Sequence, residues 1–165
     1  MNRTDFRVNA FNLSSILTLA IVFGAILIVV CVWSGGTMRF YATLAVIATL
    51  AFVVAQMYAA RIRLDSTGLR VGGGVYQVAI PWDDVIGVVE GEAWTRLRWR
   101  TNGIGLPGFS LGWFRTSKDQ RKVFVASGPT RDAIRIQLMG SRDVIVGTAD
   151  HVALRRAMTA HKPGI

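Results

Sequence analysis

The sequence predicts a membrane α-helical hairpin followed by a small α+β, mostly-β domain. Three observations predict it. Two long apolar runs without charge lie near the N-terminus, short alternating segments begin at residue 61, and one amphipathic stretch closes the chain. Mean hydropathy is +0.39. A soluble domain of this length rarely averages so apolar, and the excess sits in the first 60 residues.

The first run, Ile16 to Trp33, has 18 residues, and the second, Phe40 to Tyr58, has 19. At ~1.5 Å per residue each makes a helix of roughly 27–28 Å, close to the ~30 Å hydrocarbon core of a bilayer. Between them, Ser34 to Arg39 includes Gly35 and Gly36, which suit a tight turn. A cleaved signal peptide fits poorly, because the apolar run is long, no clear small-x-small cleavage site follows it and a second run comes at once. Cys31 is the single cysteine, so no intramolecular disulfide exists. Val30 before it also excludes a lipoprotein site. Trp33 and Tyr58 stand at run ends, where interfacial anchors belong. Gly24, with Ala42, Ala45, Ala48, Ala51 and Ala55, is expected to let the two helices pack closely.

Two spans leave both termini on one side. Arg3, Arg7, Arg61, Arg63 and Arg70 flank the runs there, against Arg39 alone in the loop. The positive-inside rule therefore expects both termini in the cytoplasm and the chain in the inner membrane. The expected organisation is a cytoplasmic tail over 1–15, a transmembrane hairpin over 16–58 and a cytoplasmic domain over 61–161. No charged residue lies within either run, which argues against an ion or proton path in this hairpin alone.

From Arg61 the hydrophobic period shortens to that of strands. Arg61 to Leu64 alternates, Asp65-Ser66-Thr67-Gly68 turns the chain, Leu69 to Val71 continues and Gly72-Gly73-Gly74 turns it again. Tyr76 to Ile80, Val85 to Glu90, Thr95 to Arg100, Lys122 to Ser127, Ala133 to Leu138 and Val144 to Val146 follow as strands. Turn signals between them predict an antiparallel sandwich or barrel. Asn102 to Trp113 holds too many glycines for a regular strand and is expected as a long ordered loop. Thr148 or Asp150 can cap a final helix, with Val152, Leu154, Ala157 and Met158 spaced for one apolar face.

Strands closed by a C-terminal helix resemble the pleckstrin-homology (PH) superfold, a bent antiparallel β-barrel or sandwich. Two stretches are similar to membrane-tethered bacterial PH-like proteins. One is Leu64 to Val71 followed by Ile80-Pro81-Trp82-Asp83-Asp84-Val85. The other runs from Arg100 to Phe114, through Gly103, Gly105, Leu106-Pro107-Gly108 and Gly112. The resemblance covers roughly residues 60–160. The resemblance does not by itself deliver a ligand. Phosphoinositide-binding PH domains carry a Lys/Arg-rich first hairpin loop, and Gly72-Gly73-Gly74 stands there instead. Residues 150–161 also lack the tryptophan usual in the helix of eukaryotic PH domains. Specific inositol-phosphate recognition is therefore not expected.

Two surfaces are candidates for binding. Arg96, Arg98 and Arg100 alternate with Leu97 and Trp99, so on a strand they share one face. With Arg115, Lys118, Arg121 and Lys122 they form a basic patch for anionic lipid headgroups or an acidic partner, or a plain solvated face. Leu106, Pro107, Phe109, Trp113 and Phe114 form the second candidate. They either dock a partner or the membrane interface, or fold back onto the core.

Other chemistry finds no residues. Gly72-Gly73-Gly74 lacks the Lys-Ser/Thr and helix of a phosphate loop. Asp83-Asp84 has no further oxygen ligands at loop spacing and belongs to a strand entry. His151 and His161 stand apart with no cysteine near, so neither metal nor cofactor is expected, and no nucleophile motif accompanies Asp150-His151. Residues 61–165 carry 16 Lys/Arg against 9 Asp/Glu, a net +7. Topology and the inner membrane surface account for that excess, and no nucleic-acid motif appears. The expectation is a non-catalytic membrane-anchored interaction module with a protein partner or its own copies. The alternative is a binder of anionic lipid through the basic strand face.

Overall fold

The computed structural model describes residues 4–8, 10–90, 97–116, 121–128, 133–140 and 142–164, with backbone alone at 90 and 97–99. The charge-free runs form two helices, α1 (Leu13–Trp33) and α2 (Gly36–Ala59). They are roughly 31 and 36 Å long at ~1.5 Å per residue. Both extend beyond the apolar runs, so only Ser34 and Gly35 separate them, where six linking residues were expected. Asn12 opens α1, its side-chain oxygen accepting from the Ser15 amide at 3.0 Å. Gly36 opens α2 with φ +50, a conformation that favours glycine.

Only 11% of each apolar window is buried. A core helix of a soluble protein would be mostly covered, so length, composition and exposure all fit membrane spans. The expected close packing through small residues is not what joins the helices. A Cβ on Gly24 would meet nothing within 4 Å, and Ala45, Ala48, Ala51 and Ala55 face outward. Larger side chains, among them Phe23, Leu50, Val53 and Met57, make the inner contacts.

The strands form two open sheets. The first has the order β1 (Thr4–Arg7), β2 (Arg61–Leu64), β3 (Gly68–Gly73), β4 (Tyr76–Pro81), all antiparallel. Alternation turns Ile62, Leu64, Leu69, Val71 and Ile80 inward and Arg61, Arg63 and Arg70 outward. The segment expected as a tail thus supplies a strand, and β1 lies beside the strand that leaves α2. Asp65 closes the β2–β3 turn by accepting from the amides of Thr67 and Gly68, at 2.9 and 3.1 Å.

A short 3-10 turn, Trp82–Asp84, leads to the second sheet. Its strands are β5 (Val85–Glu90), β6 (Leu97–Leu106), β7 (Phe109–Thr116), β8 (Lys122–Ser127), β9 (Ile134–Leu138) and β10 (Arg142–Gly147), in the order β5-β9-β10-β8-β7-β6. The antiparallel expectation fails at one place: β10 runs parallel to β8. The β9–β10 hairpin inserts β10 between β9 and β8. Both central strands are buried on two faces, which is why they contain unbroken apolar runs. Phe124, Ala126, Val144 and Val146 face the main core, whereas Val123, Val125 and Ile145 join Phe114 and Ala133 in a second cluster.

The expected loop over Asn102–Trp113 is instead the β6–β7 hairpin, turned by Pro107 and Gly108. Its glycines permit the pairing. Gly103 and Gly112 lie directly opposite each other with φ +142 and +129, and a Cβ on Gly103 would fall 2.3 Å from the Leu111 carbonyl oxygen.

Helix α3 (His151–His161) is capped by Asp150, which accepts from the Ala153 amide at 3.1 Å. Leu154 and Met158 are fully buried and Ala157 packs beside them. Val152, expected on that apolar face, is 50% exposed. The core is continuous from Leu154 and Met158 through both sheets to Met57 and Leu19 of the helical hairpin.

Candidate functional site

The joint between hairpin and β domain is built from specific contacts. At the β6–β7 tip, the Asn12 amide nitrogen donates to Gly108 O at 2.9 Å and the buried Ser15 hydroxyl donates to Pro107 O at 3.0 Å. At the β3–β4 turn, Gln56 near the end of α2 accepts from the Val75 amide at 2.9 Å. Gly73 lies so close to α2 that a Cβ there would sit 2.0 Å from Ala59 O. Beside these, Val8 N donates to Ala60 O at 3.4 Å and Thr148 Oγ1 to Arg7 O at 3.1 Å. The Gly72-Gly73-Gly74 turn is therefore the seat of the second helix.

The outer face of the first sheet is basic where it leaves the helices. Arg7 stands opposite Arg61, and Arg61 opposite Gly72. In the next row on this face Asp5 stands opposite Arg63, and Arg63 opposite Arg70. Arg63 Nε lies 4.0 Å from Asp5 and Arg70 Nε 3.9 Å from Asp65. Among the described residues Arg63 Nε is buried without a hydrogen-bond partner. A cleft of about 280 Å³ opens here, lined by Tyr58, Arg61, Arg63, Arg70, Gly72 and Gln77 among others. Three hydrogen bonds from Thr67 and Gly68, aided by Arg70, hold the Asp65 carboxyl below its ordinary value.

The basic patch expected from sequence is only partly visible. Arg96 and Lys118 lie outside the described residues, and Arg98 is described by its backbone alone. Arg100 is exposed on β6, its side chain running over Gly105. Arg115 stands opposite Lys122, and Lys122 opposite Arg142, so the row crosses β7, β8 and β10. Arg121 precedes it, its amide bonded to Thr116 Oγ1 at 3.1 Å. This row lies at the end of the second sheet remote from the helices, about 20 Å along β7 from Phe109 at ~3.3 Å per residue.

The expected docking residues do not form an exposed loop. Phe109 and Phe114 are buried in the two core clusters. Trp113 is half-buried and meets Phe124 edge-on at 5.2 Å. Leu106 packs against the core, and exposed Pro107 is engaged through its carbonyl by Ser15. A second cleft, about 330 Å³, lies between β4 and the β9–β10 turn and includes Trp113, Met139 and Arg142.

The other motif is also scaffold. Trp82 Nε1 donates to Asp65 O at 2.9 Å, its ring stacks on His161 at 5.3 Å, and its carbonyl accepts from Lys162 Nζ at 2.9 Å. Among the described residues no group of three His, Cys, Asp or Glu side chains gathers that would hold a metal. The sequence reading missed the Arg7–Arg61–Arg63–Arg70 face because it used those arginines for topology alone. Counting back across the Asp65–Gly68 turn would have set Arg63 opposite Arg70.

A family model described as a bacterial PH domain matches residues 60–158. Neither the curated proteins nor the solved structures yield a match.

Proposed function

Because the chain belongs to the bacterial PH domain family, we propose that it is a non-catalytic accessory or scaffold protein. In this reading it is an interaction module fixed to the inner face of the cytoplasmic membrane by two spans, with both termini in the cytoplasm. The joint between hairpin and domain carries the reading. Asn12, Ser15 and Gln56 clamp two separate turns of the β domain onto the helix ends, so the domain presents fixed faces to the cytoplasm.

The partner surface in this reading is the remote row Arg115, Lys122 and Arg142. Its distance from the helices suits an acidic protein surface better than the lipid of the chain's own membrane. Crosslinking the full-length chain in native membranes, then purifying it in mild detergent, tests this. A discrete crosslinked species, with another protein or a second copy, is expected, and it is lost in the Arg115→Glu/Lys122→Glu variant. An unchanged species moves the partner surface elsewhere. A lone monomer under every condition overturns the reading.

A further inference from the structure

We propose that the cleft at the foot of α2 binds the phosphate of an anionic glycerophospholipid in the leaflet facing the β domain. The inference goes beyond partner binding and shares with it only the premise that α1 and α2 span a bilayer.

The arrangement of charge is the first ground. Arg7 and Arg61 are directly opposed on neighbouring strands, as are Arg63 and Arg70. Like charges in directly opposed positions destabilise a sheet. Asp5 and Asp65 approach Arg63 and Arg70 only to 4.0 and 3.9 Å, beyond good hydrogen-bond distance. The sheet therefore keeps two unfavourable pairs on one face, with a buried donor on Arg63 unused among the described residues. An anion set between them would relieve both. Phosphate suits guanidinium forks, which offer paired N–H groups to its oxygens.

Position is the second ground. The cleft walls include Tyr58 and Ala59, the last residues of α2, and Arg61 follows two residues later. Headgroups fill roughly 5–8 Å beyond the hydrocarbon on each side. Arg61 and Arg7 fall within that layer, and the long side chains of Arg63 and Arg70 reach back into it. Tyr58 is 63% exposed beside them, with its ring in place to meet the upper acyl chain. Gln77 adds an exposed amide at the far wall. The remote basic row of the second sheet has no such access.

The test uses the full-length protein in mild detergent supplemented with zwitterionic lipid. Resistance of the native membrane form to carbonate extraction is read first. A chain extracted by carbonate loses both the anchoring and the cleft, whereas an inserted chain without lipid preference loses the cleft alone. The probes are short-chain phosphatidylglycerol, short-chain phosphatidylcholine and inorganic phosphate. Native mass spectrometry reads retained lipid, and tryptophan fluorescence reads the melting temperature. Phosphatidylglycerol is expected to be retained and to raise the melting temperature, with phosphatidylcholine and phosphate doing neither. Retention should fall roughly tenfold or more in Arg61→Gln/Arg63→Gln/Arg70→Gln, and weaken with salt. It should be unchanged in Arg115→Gln/Lys122→Gln. Without anionic lipid the triple variant should melt no lower than the parent, since the opposed like charges are gone. A lower melting temperature would mark the arginines as structural and overturn the site. Should the triple variant not accumulate, Arg61→Gln alone must still weaken retention. Equal retention of phosphatidylcholine overturns the proposal, and an equal response to inorganic phosphate overturns its lipid source.

Discussion

Asp65 shows how one side chain holds several elements. Its carboxylate accepts from Thr67 N, Thr67 Oγ1 and Gly68 N, while its carbonyl receives the Trp82 indole. Trp82 in turn stacks on His161 and accepts from Lys162. The β2–β3 turn, the entry to β5 and the end of α3 therefore meet on one residue. The Asp65 hydrogen bonds favour the ionised form, so its pKa in the folded protein lies below the ordinary 3.8. A depressed carboxyl contributes stability that is present above its unfolded pKa and lost as pH falls through the folded one. Asp65→Asn should therefore lower the melting temperature at neutral pH. The gap to the parent protein should close as pH is taken below about 4. Tryptophan fluorescence across a pH series of melts reads this directly. A gap that stays constant with pH would show that the carboxylate charge contributes nothing.

At the level of elements, the β6–β7 hairpin departs most from its sequence. Glycine-rich chain is a poor strand former by propensity, which is why the sequence predicts a loop over Asn102–Trp113. The structure uses the same glycines to let two backbones approach, because a Cβ on Gly112 would lie 2.4 Å from Asn102 O. Gly112→Ala should destabilise the domain by roughly 2–3 kcal/mol, since a positive φ and a backbone clash act together. Gly24→Ala, which meets nothing within 4 Å, should be neutral within about 0.5 kcal/mol. Chemical denaturation of both variants in detergent makes the comparison. Strands with strict alternation, such as Arg61–Leu64, were legible because one face is buried and the other wet. Strand β1 was not, because four residues before an apolar span look like a flanking tail. The parallel pairing of β8 with β10 was equally hidden, since periodicity reports burial and not strand direction.

For the whole molecule, the candidate sites were less legible than the fold because each depends on register between distant strands. Arg7 meets Arg61 only through the pairing of β1 with β2, which closes around the whole hairpin. That pairing has a topological consequence. Thr4–Arg7 and Arg61–Leu64 share one sheet, so the segments before α1 and after α2 emerge on the same side of any bilayer the helices cross. Arg7, Arg61, Arg63 and Arg70 cluster on that side and Arg39 lies at the other, so the positive-inside rule predicts that the sheet faces the cytoplasm. Cysteine labelling in intact cells tests the orientation in a Cys31→Ala background. Gly35→Cys suits the loop side, because its Cβ meets nothing within 4 Å. Ser66→Cys suits the domain side, being exposed in the β2–β3 turn. A membrane-impermeant maleimide should label Gly35→Cys in intact cells and Ser66→Cys only after permeabilisation. The reverse pattern would place the PH-like domain outside and remove the cytoplasmic partner. Labelling of both from outside would mean that the hairpin does not cross the membrane, and the lipid site at its foot would fall with it.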